Sequence, residues 1–321
     1  MKKRSILHGE LKERPAGYEG PNLDPEGLVL QPHELGHGVY ALMANIPPKD
    51  NNGVIIGSRA ALVIDAGING EVSRQIQEVV AALSDTPLRY LVNTTYHGDH
   101  TFGNYAFGDD VLIISSALNR ASMTNLDVEK GFRSRNLYGN EDAIADVTEW
   151  RRPDVAFDDY CEVDLGDRVV ELYHFGPGNG VGDVIVYEPV TKTAWTGNFL
   201  PRAGVGPMLL EGGPGPYIES LEKMRDTLEV TTVVCGHGPM GDGPDAIDTM
   251  IEYLRGLQSS VTEAMRAGRA LETTVEQSDL PERFATPDLP PPAREALARL
   301  NMQMHRLNVV ATYRALEGAA Q

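Results

Sequence analysis

A layered α/β fold follows from three patterns in this 321-residue sequence. Apolar strand-like runs alternate with a helix-spaced segment in the first half, a second strand-rich stretch covers residues 169–196, and the chain beyond Asp245 reads as helical. Strand, helix, strand alternation of this kind builds layers of sheet and helix rather than an all-β sandwich. The length allows one large domain or a domain with an accessory part, and it is ample for a buried core.

Taken in order, residues 1–36 carry Pro15, Pro21, Pro25 and Pro32 and read as an extended N-terminal arm or edge that packs over the domain or over a neighbouring subunit. Residues 39–46 predict a strand, Asn51-Asn52-Gly53 a turn, and residues 54–57 and 60–65 two further strands. Val72, Ile76, Val79, Val80 and Leu83 recur at helical spacing, which predicts an amphipathic helix over 70–84. Strands over 88–93 and 111–114 flank a polar stretch. Residues 118–160 are polar, helix-like near 118–130, and punctuated by Phe132, Tyr138 and Trp150, so an insertion there is where substrate contacts are expected.

The second half supplies strands over 169–175, 183–187 and 193–196. Residues 204–216 are too glycine-rich for regular structure and suit a lid or pocket wall. A helix over 217–229, a strand over 231–235 and helix to about Leu271 follow. The proline cluster 287–292 precedes a last helix over 293–317, whose stripe of Leu297, Leu300, Met304, Leu307, Val310 and Ala311 predicts a core or dimer contact. The chain thus divides into the arm 1–36, a domain 37–245 and a helical C-terminal extension 246–321 that packs on the domain or on a partner subunit. A homodimer would form through the arm or the last helix.

With 46 acidic against 28 basic residues, the formal charge of −18 repels phosphate backbones and anionic membrane surfaces. Nucleic acid and membrane are therefore not expected partners, and a small-molecule substrate is. The two cysteines, Cys161 and Cys235, lie in or beside apolar strand-like runs and indicate no disulfide framework. The basic start Met1-Lys2-Lys3-Arg4 leads into no apolar stretch, and no run reaches the roughly 18 apolar residues of a membrane span, so the expectation is a cytoplasmic protein.

The chemistry concentrates in one stretch, Thr94-Thr95-Tyr96-His97-Gly98-Asp99-His100-Thr101-Phe102-Gly103-Asn104. Two imidazoles and a carboxylate within four residues, at the end of a buried strand, are what a compact metal or acid/base site needs. The stretch resembles the HxHxDH signature of the metallo-β-lactamase superfamily, with Thr95 in place of the first histidine. Three further matches come in the family's order: Gly176-Pro177-Gly178-Asn179-Gly180-Val181-Gly182-Asp183 resembles its GPGHTxGD turn, Thr196-Gly197-Asn198-Phe199 its TGD element, and Cys235-Gly236-His237-Gly238-Pro239 its GHG turn. Asp65-Ala66-Gly67 resembles the DxG strand end, where the aspartate buttresses the metal loop. The resemblance implies a four-layer αββα sandwich over about residues 38–240.

It also implies two metal positions. Carried over residue by residue, the first is Thr95, His97 and Asn179, which offers one good donor and is expected to hold no ion. The second is Asp99, His100 and His237, all present, with Asn198 where a bridging carboxylate belongs. Three ligands with an open position is the count of a catalytic zinc site, and two histidines with a carboxylate also suit non-haem iron. The expectation is one zinc or iron ion, or none. His174, five residues before Asn179, is too far along a strand to replace the missing ligand. His8, His33, His37 and His305 match no motif.

The leading functional expectation is hydrolysis of a small ester, thioester or lactone. The ion would be held by Asp99, His100 and His237, His97 would be free for acid/base work, and Asn179 and Asn198 would donate hydrogen bonds to an oxyanion. One alternative is a metal-independent lyase, cyclase or dehydratase using His97, Asp99 and His100, since the TGN variant and the helical extension look similar to the polyketide cyclase and thioesterase branch. A further alternative is a non-catalytic binding protein.

Overall fold

In the computed structural model, residues 20–201, 213–285 and 291–319 are described. The first part of the arm, most of the glycine-rich stretch 204–216 and the proline cluster as far as residue 290 lie outside them. Two mixed sheets form the centre. The first has seven strands in sequence order: β1 (Leu30–Gly36), β2 (Val39–Ala44), β3 (Asn52–Ile56), β4 (Ala61–Ile64), β5 (Leu88–Val92), β6 (Leu112–Ser116) and β7 (Val155–Phe157). Strands β1 to β4 pair antiparallel through short turns, whereas β4 to β7 are parallel. The parallel pairs need crossovers, and the helix Gly70–Leu83 is the one between β4 and β5.

The second sheet holds β8 (Tyr160–Asp164), β9 (Val169–Tyr173), β10 (Ile185–Glu188), β11 (Thr193–Gly197), β12 (Thr232–Cys235) and β13 (Gly241–Asp242), in the order β13-β12-β11-β10-β9-β8. The sheets face each other across Val39, Ala41, Ile55, Leu62, Ile64 and Val92 on one side and Val170, Leu172, Val186, Trp195 and Val234 on the other. Gly53 lets them close. A Cβ there would stand 2.3 Å from Trp195 Nε1 and 2.9 Å from Ile64 Cδ1.

Helices cover both outer faces. Val72, Ile76 and Val80 of Gly70–Leu83 pack on Leu42, Val63, Leu91 and Ile113, the helical spacing read from the sequence turned toward the first sheet. Asn69 caps this helix by accepting from Val72 N at 3.0 Å. The second sheet is covered by Pro214–Thr227, Gly243–Arg266 and Pro291–Ala319, with Leu221, Met224, Ile247, Leu254, Met304 and Leu307 in one core with Ile185, Ala194 and Val233. The layers are therefore helix, sheet, sheet, helix, and the C-terminal helices lie against this chain's own outer layer. Among the described residues no helix is long and apolar enough to cross a membrane.

One expectation is sharpened and two are corrected in detail. Residues 30–36, within the expected arm or edge, are an edge: strand β1 pairs with β2 along its length and belongs to the sheet. Asn52-Gly53 is not a turn but the start of β3, because the reversal is made earlier, by residues 45–51. The end of the stretch 118–160, read as a polar insertion, contributes β7 to one sheet and the start of β8 to the other, so this segment carries the chain between sheets. Both strands are largely exposed, and exposure hid their alternation.

Candidate metal centre

The site lies where the ends of β3, β4, β5, β11 and β12 meet. Strand β5 delivers Asn93, then the buried turn 94–97, then the one-turn helix Gly98–Thr101 carrying Asp99 and His100. Tight packing fixes that helix. A Cβ on Gly98 would stand 2.3 Å from the Phe102 ring, and one on Gly103 would stand 2.3 Å from Ala66 O. The loop after β12 brings His237, and Asn51 ties it to the first sheet: Asn51 Nδ2 donates to Cys235 O at 3.0 Å and Gly238 O at 2.8 Å.

Asp99, His100 and His237 come together as the sequence predicts, and Asp50 joins them. One ligand atom from each of these four residues lies within 4.8 Å of the others. Asp99 Oδ2 is 3.4 Å from His237 Nε2 and 3.6 Å from His100 Nε2. A tetrahedral ion with donors at about 2.0–2.2 Å spaces them roughly 3.3–3.6 Å apart, so these separations fit. His100 Nε2 is buried and makes no hydrogen bond among the described residues. A buried polar atom without a partner is costly, and a cation supplies one.

Both imidazoles are oriented from behind. His100 Nδ1 donates to Asp65 Oδ2 at 2.9 Å, and Asp65 also accepts from Thr94 N at 2.8 Å and Thr94 Oγ1 at 2.7 Å. His237 Nδ1 donates to Pro48 O at 2.7 Å, with Asp50 Oδ1 3.1 Å from the same nitrogen. In each ring Nδ1 is the donor to the group behind it and Nε2 faces Asp99, where a metal ion would displace any proton. The expected buttress role of Asp65 is thus visible as three hydrogen bonds.

Electrostatics sharpen the assignments. Burial works against ionisation of Asp99, but Arg133, His100 and His237 outweigh it and hold its carboxyl well below the usual range. Burial lowers His100 as well, yet Asp65 and Asp99 prevail and raise it to about 10. Burial raises Asp50 to about 7. His97 goes the other way: burial first, then the Arg133 charge, push it well below its ordinary value, so the ring is neutral.

The other predicted residues stand elsewhere in the cleft. Asn198 Nδ2 donates to His97 Nδ1 at 3.0 Å, and its Oδ1 is buried with no hydrogen-bond partner among the described residues. Thr95 and Asn179 are both buried. Near Asn179, Asp183 Oδ2 accepts from Gly180 N at 2.9 Å and burial raises its carboxyl to about 7. His174 Nδ1 donates to Asp183 O at 2.9 Å as a strand-end residue. His305 is bonded in the C-terminal helices, to Tyr253 at 3.0 Å and Ser278 at 2.6 Å.

Two site residues escaped the sequence reading. Asp50 follows a Pro-Pro-Lys run with no motif around it; the only hint was the spare carboxylate beside a turn. Arg133 closes the helix Leu126–Arg133 inside the expected insertion and pairs with Asp99 Oδ1 at 3.1 Å. Its i,i+4 partner Glu129, at 2.7 Å, also accepts from Gly98 N at 2.9 Å. In sequence such a pair looks like ordinary surface charge.

Two sheets enclosed by helices, with an Asp/His/His group on loops at one end, define an αββα scaffold with a metal-capable centre. The chain belongs to the metallo-beta-lactamase superfamily, whose sequence profile matches residues 47–237. A curated relative, the hydroxyacylglutathione hydrolase of Thermosynechococcus vestitus, is 27% identical over 168 residues, 50% of this chain and 54% of the relative. The chain therefore spans about half the length of that relative. Among solved structures, a metallo-beta-lactamase from Pontibacter korlensis is 17% identical with a TM-score of 0.55, covering 71% of this chain and 99% of its own. A stereoselective inverting sec-alkylsulfatase from Pseudomonas sp. is 15% identical with a TM-score of 0.67, covering 89% of this chain and 50% of its own. At such identities these two structures speak for the fold alone.

Proposed function

We propose that this protein hydrolyses a small ester, thioester or lactone, using one metal ion held by Asp99, His100 and His237 with Asp50 alongside. The observation that carries the reading is the convergence of those four side chains, with the Nε2 atoms of both histidines turned toward Asp99 and the rings fixed by Asp65 and Pro48 O. A relative named for hydrolysing hydroxyacylglutathione supports the reaction class. Zinc or iron bound there would supply Lewis acidity and a water of lowered pKa.

The chain's own groups do the rest. With Nδ1 accepting from Asn198, neutral His97 carries its proton on Nε2, an atom that is buried and makes no hydrogen bond among the described residues. That proton is available to an oxygen of the substrate or leaving group. Asp99 is held ionised by the cations around it.

The test is metal analysis of protein purified without chelator, followed by a panel of generic esters, thioesters and lactones. About one equivalent of metal, and hydrolysis abolished by chelator, are expected. A protein that takes up no metal and turns over none of the panel sinks the proposal. Turnover by fully chelated protein favours the lyase or cyclase reading, which draws on the same His97 Nε2 proton.

A further inference from the structure

The loop that carries Asp99 and His100 is gripped from outside its own motif. Helix Leu126–Arg133 holds two charged residues that are both buried, Glu129 at 2% exposed and Arg133 at 6%. Charged side chains are rarely so enclosed unless they are paired. These two are paired with each other and with the loop. Glu129 Oε1 accepts from Gly98 N at 2.9 Å and from Arg133 Nε at 2.7 Å, while Arg133 Nη1 stands 3.1 Å from Asp99 Oδ1.

The contacts close a ring: from the backbone of residue 98 to Glu129, one helical turn on to Arg133, and back to the side chain of Asp99. Backbone and side chain of the loop are thereby fixed to the same turn of helix. Burying both charges costs more than an exposed i,i+4 pair contributes, so helix stability alone does not explain the arrangement. What it holds is one side of a carboxylate. Asp99 Oδ1 faces the guanidinium, and Oδ2 lies 3.4 Å from His237 Nε2 and 3.6 Å from His100 Nε2.

We infer that Arg133 and Glu129 are positioning residues for the metal centre, holding Asp99 so that it offers an ion Oδ2 alone while Oδ1 stays on the guanidinium. One-oxygen ligation leaves a coordination position that a two-oxygen grip would fill, and an open position is what a catalytic ion needs. Reach matters here more than charge. The planar fork of Arg133 puts Nε and Nη1 on two different carboxylates at once, which a lysine ammonium cannot do. Glu129 is long enough for one oxygen to meet both Gly98 N and Arg133 Nε, and an aspartate is one methylene shorter. The inference rests on the metal half of the hydrolase reading and adds to it two residues from the stretch 118–160.

The test measures zinc affinity of the full-length protein by competition with a chromophoric chelator, and coordination by the visible bands of the cobalt(II)-loaded protein. Arg133→Lys and Glu129→Asp keep the charges and lose the reach. Each should lower zinc affinity about tenfold or more, because a loosened Asp99 must be ordered as the ion binds. The cobalt bands should weaken as Asp99 Oδ1, released, joins the coordination shell. Glu129→Gln loses the charge but keeps the reach, and should bind zinc nearly as wild type does. Leu254→Ala, in the C-terminal core, controls for general loss of stability and should leave both readouts unmoved. Arg133→Lys can fail to fold, so the comparison of Glu129→Asp with Glu129→Gln decides. Affinity and bands unchanged in Glu129→Asp, affinity lost equally in Glu129→Asp and Glu129→Gln, or wild-type protein that takes up neither ion overturns the inference. An ester, thioester and lactone panel left untouched by loaded wild type, while Glu129→Asp alone loses zinc, sinks the hydrolase reading and leaves the positioning role standing.

Discussion

Asp65 holds a left-handed backbone with φ of 61°, a region where aspartate is tolerated better than most side chains, and from there it accepts from Thr94 twice and from His100 once. Asp65→Asn places an amide donor among those donors and frees His100 to change tautomer. Zinc affinity should fall about 10–100-fold, read by competition with a chromophoric chelator, with the fold intact by circular dichroism. An unchanged affinity would mean His100 is not a ligand. Asp99, His100, His237 and Asp65 were all legible from sequence because each sits in a short motif whose spacing fixes its neighbours. Asp50 and Arg133 were not, since each reaches the site through tertiary packing: Asp50 across a bridge to His237, Arg133 from a helix whose other face is solvated. For Asn198 the motif gives its strand end but not its rotamer, and in the structure its amide nitrogen lies on His97.

At the scale of elements, strand β3 begins two residues after Asp50 and passes beneath Trp195 with only the hydrogen of Gly53 between them. Gly53→Ala forces the facing strands apart and should cost about 1–3 kcal/mol in urea unfolding. Because the same strand sets the Asp50 loop, metal uptake should weaken with it, whereas an equally destabilising change far from the site, such as Leu254→Ala, should leave uptake alone. Helices and buried strands were readable because their apolar spacing is long and regular, as Val72, Ile76 and Val80 show. Edge strand β1 and the short pair β7 and β8 were not, since exposed strands with mixed side chains lack the alternation that marks a half-buried sheet.

For the whole molecule, the metal-free state carries charge that depends steeply on pH. His100, raised from 6.5 to about 10, contributes stability that is complete below pH 6.5 and is lost as pH rises through 10. Asp50, raised from 3.8 to about 7, contributes stability as the neutral acid, complete below 3.8 and lost as pH rises through 7. The melting temperature of chelator-treated protein should therefore fall between pH 6 and pH 10. Zinc competes with these same protons, so the gap in melting temperature between loaded and chelated protein should widen as pH rises. A gap that narrows would place the ion on other residues.

The bridge between Asp50 and His237 joins segments far apart in sequence, one leaving the first sheet and the other the second. An ion seated on both would act as a clasp across the seam of the sandwich. Amides such as Asn51 N, bonded to Gly236 O at 2.7 Å, and Gly236 N, bonded to Gly197 O at 2.7 Å, should then slow together in hydrogen exchange when the protein is loaded. The two halves of the chain would open as one unit with the clasp in place and as two without it.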